Sequence, residues 1–264
     1  MGITSSCDKL IKASRDGNIG IVRELLRKNT NIEAIAKTEH NNTPLLMASK
    51  YGHRNIVQYL LSIRANIEAR NSYNMTPLIL ASSNGYIDIV TDLILSGATI
   101  DSRTLDGNTA FMLASWNGHL NIVLELLSKN ANIEALNNKY ETPLMCASFN
   151  GHIDVVRELL QHGANINTMN IKGEKAYDIA QTRKHNDIAT LLRYQYKPID
   201  IMVYEDDVYY RQNVIERISC TICKTNERKV VFNCGHLTCH TCSERIVECP
   251  ECKNKITTRL VVFY

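Results

Sequence analysis

The sequence lacks the features of several common protein classes. None of its apolar runs approaches the ~18 residues of a membrane-spanning helix, and no charged-then-apolar secretory signal opens the chain. Neither sign of charge dominates, because 30 basic residues stand against 27 acidic ones for a net charge of +3. So weak a charge gives little attraction to phosphates, which argues against a nucleic-acid partner. We therefore expect a cytoplasmic protein.

Cysteine is nearly absent from the first 200 residues, which contain only Cys7 and Cys146. The other seven cysteines lie between Cys220 and Cys252. Disulfide frameworks are typical of short secreted chains, so a dense cluster at one end of this chain indicates thiolate ligands for a metal. The chain therefore divides into a cysteine-poor body and a cysteine-rich tail.

A period of 33 residues, the step from Thr43 to Thr76, runs through the body. Five residue types keep this spacing over four successive units, and they occupy these positions: Thr43, Thr76, Thr109 and Thr142; Ala48, Ala81, Ala114 and Ala147; Gly52, Gly85, Gly118 and Gly151; Val57, Val90, Val123 and Val156; Leu60, Leu93, Leu126 and Leu159. A fixed period of this kind predicts stacked units that bury their apolar faces against one another.

Each unit has the sequence signals of two helices. Thr142-Pro143 predicts a helix start, with threonine as N-cap and proline at the first helical position, and Gly151 ends that helix. Apolar spacing predicts a second helix from about Asp154 to Gln161. Gly163 follows it, where a positive φ is expected, and the equivalent positions in other units are occupied by Asn130 and Arg64.

This pattern resembles the ankyrin repeat. The resemblance covers residues 7–195, as four full repeats and two degenerate caps, after a flexible segment at 1–6. It implies a mainly α solenoid that binds an unidentified protein substrate through its turn tips and through the two residues before each loop glycine. Those residues include Lys50, Tyr51, Trp116 and Phe149. Trp116 and Phe149 are one repeat apart, and either serve as interface anchors or pack on neighbouring turns.

The other chemically capable residues of the body have structural interpretations. Cys146 is in register with Leu113 and Leu80, so we expect a small core residue and no nucleophile. Histidines follow three of the loop glycines in the same register, at His53, His119 and His152. No acid–base pair in the body is spaced as a hydrolytic site would require.

The tail has the ligand spacing of a two-zinc module. Its donors are, in order, Cys220, Cys223, Cys234, His236, Cys239, Cys242, Cys249 and Cys252. Two tetrahedral zinc ions need eight ligands, and this set supplies seven thiolates and one imidazole. His240 is an alternative donor only if Cys239 is displaced.

The spacing resembles the RING finger, in which ligand pairs alternate between the two ions. The resemblance implies one zinc ion on Cys220, Cys223, Cys239 and Cys242, and a second on Cys234, His236, Cys249 and Cys252. It also implies a small α+β cross-brace domain over residues 219–264, preceded by a linker with a predicted helix at 196–218. With every tail thiol bound to metal, none is free to form a covalent intermediate.

RING fingers dock a ubiquitin-conjugating enzyme and restrain its attached ubiquitin. The residues that match the family's docking surface are Ile222, Pro250 and either Ile246 or Val247. Ile222 has an alternative interpretation as simple packing around zinc. Lys253 stands where many active members have arginine, and lysine lacks the planar fork of donors.

The carboxyl end is similar to that of inhibitor-of-apoptosis ligases, in which a strand after the last ligand assists a dimer partner. Residues Thr257–Tyr264 are β-prone, and Phe263 resembles the tail aromatic of that group. This similarity favours a homodimer. At the other end, Gly2 fits a myristoylation pattern and Cys7 offers a second acylation site, which is the one route by which we expect membrane binding; the alternative is an ordinary disordered start.

Two functions remain open from the sequence. The first is a RING-type ubiquitin ligase that binds its substrate through the ankyrin repeats. The second is a non-catalytic adaptor whose zinc module only folds or dimerises.

Overall fold

The computed structural model describes residues 5–35 and 40–195, together with three short strands near the carboxyl end. The chain divides into two compact units, Met1–Tyr196 and Lys197–Tyr264. Each unit is described below by itself.

Twelve α-helices occupy the described part of the first unit, in six consecutive pairs. Their bounds are α1 Ser6–Arg15, α2 Ile19–Arg27, α3 Pro44–Tyr51, α4 Arg54–Ser62, α5 Pro77–Ser83, α6 Ile87–Leu95, α7 Ala110–Trp116, α8 Leu120–Ser128, α9 Pro143–Asn150, α10 Ile153–Gln161, α11 Ala176–Thr182 and α12 Asn186–Gln195. The first helix of each pair packs against the first helix of the next pair, and the second helices do the same. The predicted stack of helix pairs is therefore confirmed.

In each of the four full repeats, the first helix of the pair has a threonine as its N-cap. The Oγ1 atoms of Thr43, Thr76, Thr109 and Thr142 each accept a hydrogen bond, 3.2–3.3 Å long, from the backbone N–H three residues later. Such caps are worth about 1 kcal/mol each. Three of these helices have proline next to the cap. The first helix, α1, is capped instead by Ser5 and begins at Ser6, one residue before the predicted start of the repeats at residue 7.

The core is a continuous apolar layer between successive helix pairs. The repeated valines and leucines of the second helices are all 0% exposed, from Val57 and Leu60 to Val156 and Leu159. In an isolated repeat the apolar face of the second helix would be exposed to water. The hydrophobic effect therefore stabilises the stack of repeats and not the single repeat.

Polar contacts with the same period join each repeat to the next. A carboxylate of one repeat accepts a hydrogen bond from a backbone N–H about 33 residues later, as Glu33 does from Asn66 at 2.7 Å and Glu68 does from Thr99 at 2.7 Å. Glu134 repeats the contact with Asn165. These carboxylates therefore contribute to the contacts between repeats.

Histidine rings also bridge neighbouring repeats, which confirms their structural interpretation. The Nε2 atom of His119 lies 3.1 Å from the carbonyl oxygen of Ser83, and that of His152 lies 2.9 Å from the carbonyl oxygen of Trp116. The His119 ring covers Gly85, whose φ is +84°, and a Cβ built there would be 2.8 Å from the ring carbon Cε1. Only glycine leaves room for this contact.

The second unit contains a three-stranded antiparallel sheet in the order β2-β1-β3. The strands are β1 Lys229–Phe232, β2 Leu237–Cys239 and β3 Arg259–Val262. The strand expected within Thr257–Tyr264 is thus present as β3, and it pairs with β1. None of the helices in the described part of the chain is both long enough and apolar enough to cross a membrane.

A pair of glycine substitutions tests the histidine bridge. Gly85→Ala and Gly163→Ala both place a side chain in the left-handed region, at φ +84° and +82°, which costs about 1–2 kcal/mol. Nothing lies within 4 Å of a Cβ at Gly163. Gly85→Ala also displaces His119, so we expect it to lower the free energy of unfolding by about 1 kcal/mol more, measured by urea denaturation and circular dichroism. Equal losses would show that the ring contact contributes nothing.

Candidate functional site

The described surface of the solenoid contains a cleft of about 470 Å³, which we name the turn cleft. Its walls are the turns that precede α7, α9 and α11, and its floor is formed by side chains of α7 and α9. Leu113, Trp116, Cys146 and Phe149 line the floor, and Asp106, Lys139, Glu141 and Lys172 line the walls. The volume lies within the ~300–1,000 Å³ range of ligand sites.

Two of the four predicted partner-binding residues meet on this floor. The rings of Trp116 and Phe149 are stacked, with centroids 4.9 Å apart and planes at 21°. Both side chains are half-buried. Trp116 packs against the buried cluster of Met112, Ala135 and Cys146. The two rings therefore pack on neighbouring repeats and still line the cleft.

The other two predicted partner-binding residues lie elsewhere. Lys50 and Tyr51 end α3, and the Lys50 Nζ lies 5.3 Å from the centroid of the Tyr51 ring. Tyr51 is 41% exposed. Neither side chain lines the turn cleft, so the sequence register alone does not bring the four residues into one site.

Arg183 extends the aromatic stack and was missed by the sequence analysis. Its guanidinium carbon lies 3.9 Å from the centroid of the Phe149 ring, a cation–π contact. The same side chain lies near the carbonyl oxygen of Phe149. The only signal in the sequence was its position one repeat after Asn150, in a unit whose pattern is degenerate.

Asparagine side chains fix the shape of the turns that carry the wall residues. The Oδ1 atom of Asn137 accepts hydrogen bonds from the backbone N–H groups of Lys139 and Glu141, at 2.9 and 3.0 Å. Asn170 makes the same pair of contacts one repeat later. Adjacent turns are also joined by a backbone hydrogen bond from the N–H of Ile171 to the carbonyl of Lys139.

The charged side chains of the walls differ in whether they have a hydrogen-bond or ion-pair partner within the protein. Glu141 accepts a hydrogen bond of 2.7 Å from the Asn137 side-chain amide. Lys139 and Lys172 are exposed, and neither makes an ion pair with any residue that the structure describes. The cleft thus combines an apolar floor with two unpaired cations and one exposed carboxylate, that of Asp106.

Cys146 is a core residue, as predicted. It is 4% exposed, and burial, together with the nearby Glu141 charge, raises the pKa of its thiol to about 12. A thiol with so high a pKa is protonated at neutral pH and is a poor nucleophile. Across residues 5–35 and 40–195, no group of three His, Cys, Asp or Glu side chains is arranged to hold a metal ion.

The predicted residues of the tail lie mostly outside the described part of the chain. This applies to Cys220, Cys223, Cys234, His236, Cys242, Cys249, Cys252, Ile222, Ile246, Pro250, Lys253 and Phe263. Cys239 is the exception: it ends β2, where its backbone is paired with Lys229 of β1. The ligand and docking assignments therefore stay predictions from the sequence.

Comparison with known proteins identifies both parts of the chain. Three overlapping copies of the family described as ankyrin repeats match residues 9–104, 69–137 and 111–204. The chain belongs to the ankyrin-repeat family. Residues 216–259 of this ankyrin protein match a zinc finger of C3HC4 type, the RING finger, which implies that the chain binds zinc.

Several curated relatives of this ankyrin protein are ubiquitin ligases by name. It is 49% identical over 45 residues to the E3 ubiquitin-protein ligase RGLG4 of Arabidopsis thaliana, which is 17% of this chain and 11% of that protein. It is 44% identical over 54 residues to the E3 ubiquitin-protein ligase MIB2 of Gallus gallus, or 20% and 6% of the two chains. It is 35% identical over 52 residues to the E3 ubiquitin-protein ligase mind-bomb of Drosophila melanogaster, which is 20% of this chain and 4% of that protein. The matches thus span only about a tenth or less of these relatives.

The high thiol pKa of Cys146 predicts its behaviour toward alkylating reagents. In the folded protein at about pH 8, we expect iodoacetamide to leave Cys146 unmodified, because the thiolate is both scarce and buried. In denaturant the same residue is modified readily, as peptide mass spectrometry will show. Rapid modification of Cys146 in the folded protein would contradict its assignment to the core.

Proposed function

We propose that the protein is a RING-type ubiquitin-protein ligase. Its ankyrin repeats bind a protein substrate, and its zinc finger recruits a ubiquitin-conjugating enzyme. The observation that carries this proposal is the presence, on one chain, of a repeat stack with a surface cleft and a C3HC4 zinc finger. The names of the relatives support it, because proteins that share short segments with this chain are E3 ligases.

The donor set of the tail supports two zinc ions. The donors between Cys220 and Cys252 occur in the order three cysteines, one histidine and four cysteines. This is the order that the family's description, C3HC4, gives. Cys220, Cys223, Cys239 and Cys242 hold one ion, and Cys234, His236, Cys249 and Cys252 hold the other. Each structural site contributes folding free energy on the order of 10 kcal/mol, in a segment too small to build an adequate apolar core.

Catalysis in this proposal is achieved by positioning. Ile222, Ile246 and Pro250 form the apolar surface that docks the conjugating enzyme, and Lys253 contacts the enzyme and ubiquitin. No residue of the zinc finger forms a covalent intermediate, since its thiolates are ligands. The substrate lysine attacks the thioester of the docked enzyme, and the gain in rate comes from holding the reactants close together.

The location and assembly of the protein are part of the same proposal. We propose a cytoplasmic protein that dimerises through its zinc finger, with Phe263 in the contact. Cys7 packs against Ile11, Ala34 and Met47, so an acyl chain there would have to displace a core contact. Any lipid anchor therefore depends on Gly2, and a single myristoyl chain gives only marginal membrane binding.

A non-catalytic adaptor is the second candidate. The observation in its favour is Lys253, which keeps the positive charge but loses the bidentate geometry of arginine. In that case the zinc finger would fold and dimerise without promoting ubiquitin transfer.

An autoubiquitination assay separates the two candidates. With activating enzyme, ubiquitin and a panel of conjugating enzymes, we expect the wild-type protein to form ubiquitin chains. Ile222→Ala should reduce the rate at least about tenfold, because an apolar anchor of the docking surface is lost. Leu95→Ala removes a 75% exposed apolar side chain of the repeats, so it serves as the matched control and should retain full activity.

The zinc content of Ile222→Ala must equal that of wild type, so that lost activity reports docking rather than misfolding. Absence of ubiquitin chains from wild type with every conjugating enzyme would favour the adaptor. Equal activity of Ile222→Ala and wild type would refute the docking surface.

A further inference from the structure

The turn cleft has a property that substrate binding in general does not require: two exposed lysines stand on its walls beside the aromatic floor. Lys139 and Lys172 lie on adjacent turns, exposed and without an ion pair in the described part of the chain. Arg183 is not among the lining residues, but its guanidinium lies on the Phe149 ring and adds a third cation beside the floor. Resting on the proposed function, we infer that the cleft binds an acidic segment of the substrate that also carries an apolar side chain.

The acidic side chains of the repeats are largely engaged within the protein. Glu33, Glu68 and Glu134 accept hydrogen bonds from backbone N–H groups of the following repeat. Between the second helices α4 and α6, the carboxylate of Asp92 accepts two hydrogen bonds from Arg54, 2.7 and 3.0 Å long. Lys139 and Lys172 have no carboxylate partner among the residues that the structure describes.

The two acidic residues of the cleft, Glu141 and Asp106, do not prevent the binding of an acidic segment. Glu141 is half-buried and accepts a hydrogen bond from Asn137, so part of its hydrogen-bonding capacity is used. Asp106 is exposed and lies on the turn farthest along the chain from Arg183. It repels a bound carboxylate at that end, which orients the acidic residues of the segment toward Lys172 and Arg183.

The floor supplies the apolar part of the recognition. Trp116 and Phe149 stack on each other, so they are held in place before any ligand arrives. A preordered aromatic surface loses little conformational entropy on binding, and stacked aromatics are frequent anchors of interfaces. An aliphatic or aromatic side chain of the segment packs on these rings while its neighbouring carboxylates contact Lys139 and Lys172.

The protein contains its own probe for this binding, because Trp116 is its single tryptophan. The experiment titrates the full-length zinc-loaded protein with two synthetic peptides and records tryptophan fluorescence. One peptide has acidic residues on both sides of a central leucine, and the other has lysines in their place. We expect the acidic peptide to change the fluorescence saturably, and the lysine peptide to bind at least about tenfold more weakly.

Charge-reversal variants connect the effect to the cleft. Lys139→Glu combined with Lys172→Glu should weaken the acidic peptide at least about tenfold. Lys9→Glu combined with Lys12→Glu changes the net charge equally on α1, where both lysines are exposed, and should bind as wild type does. Equal melting temperatures for both double variants will show that the stack is intact.

The inference is overturned if the acidic peptide does not bind, if the lysine peptide binds equally well, or if the cleft variant binds the acidic peptide as wild type does. Autoubiquitination is measured on the same samples and does not depend on the cleft. Activity without acidic preference would therefore refute only the substrate class, whereas acidic preference without activity would refute only the ligase.

Discussion

A folding unit of some thirty to forty-five residues buries too little apolar surface to be stable by itself, and both parts of this chain are built from units of that size. The repeats meet this constraint by stacking, so that valines and leucines such as Val90 and Leu93 become fully buried between neighbours. The zinc finger, on our account, meets it with metal ions. Stability therefore resides in contacts between units in one part and in coordination bonds in the other.

Stacking also determines where recognition can take place. The second helix of each pair buries its apolar face in the core. The turns and the ends of the first helices therefore remain available to contact partners. The asparagine-braced turns hold Lys139 and Lys172 beside the Trp116–Phe149 pair. In the function that we propose, this surface is already ordered before the substrate binds.

The sequence predicted the parts of the fold that follow from local rules. Threonine caps, the loop glycines and the buried register of Val57 and Leu60 depend on spacing within one repeat, and the structure confirms them. The cation–π contact of Arg183 and the cleft itself depend on how turns of successive repeats approach each other, which spacing does not determine. The choice between the two roles of Trp116 and Phe149 was left open by the sequence for the same reason.

The central claim is that the carboxyl-terminal segment is a metal-built module attached to a substrate-binding stack. Native mass spectrometry of the purified full-length protein tests it most directly, with a parallel count of thiols that react before and after chelation. The account predicts two zinc ions per chain and seven thiols that become reactive only when the metal is removed. Fewer than two ions per chain, with those thiols already reactive, would contradict it.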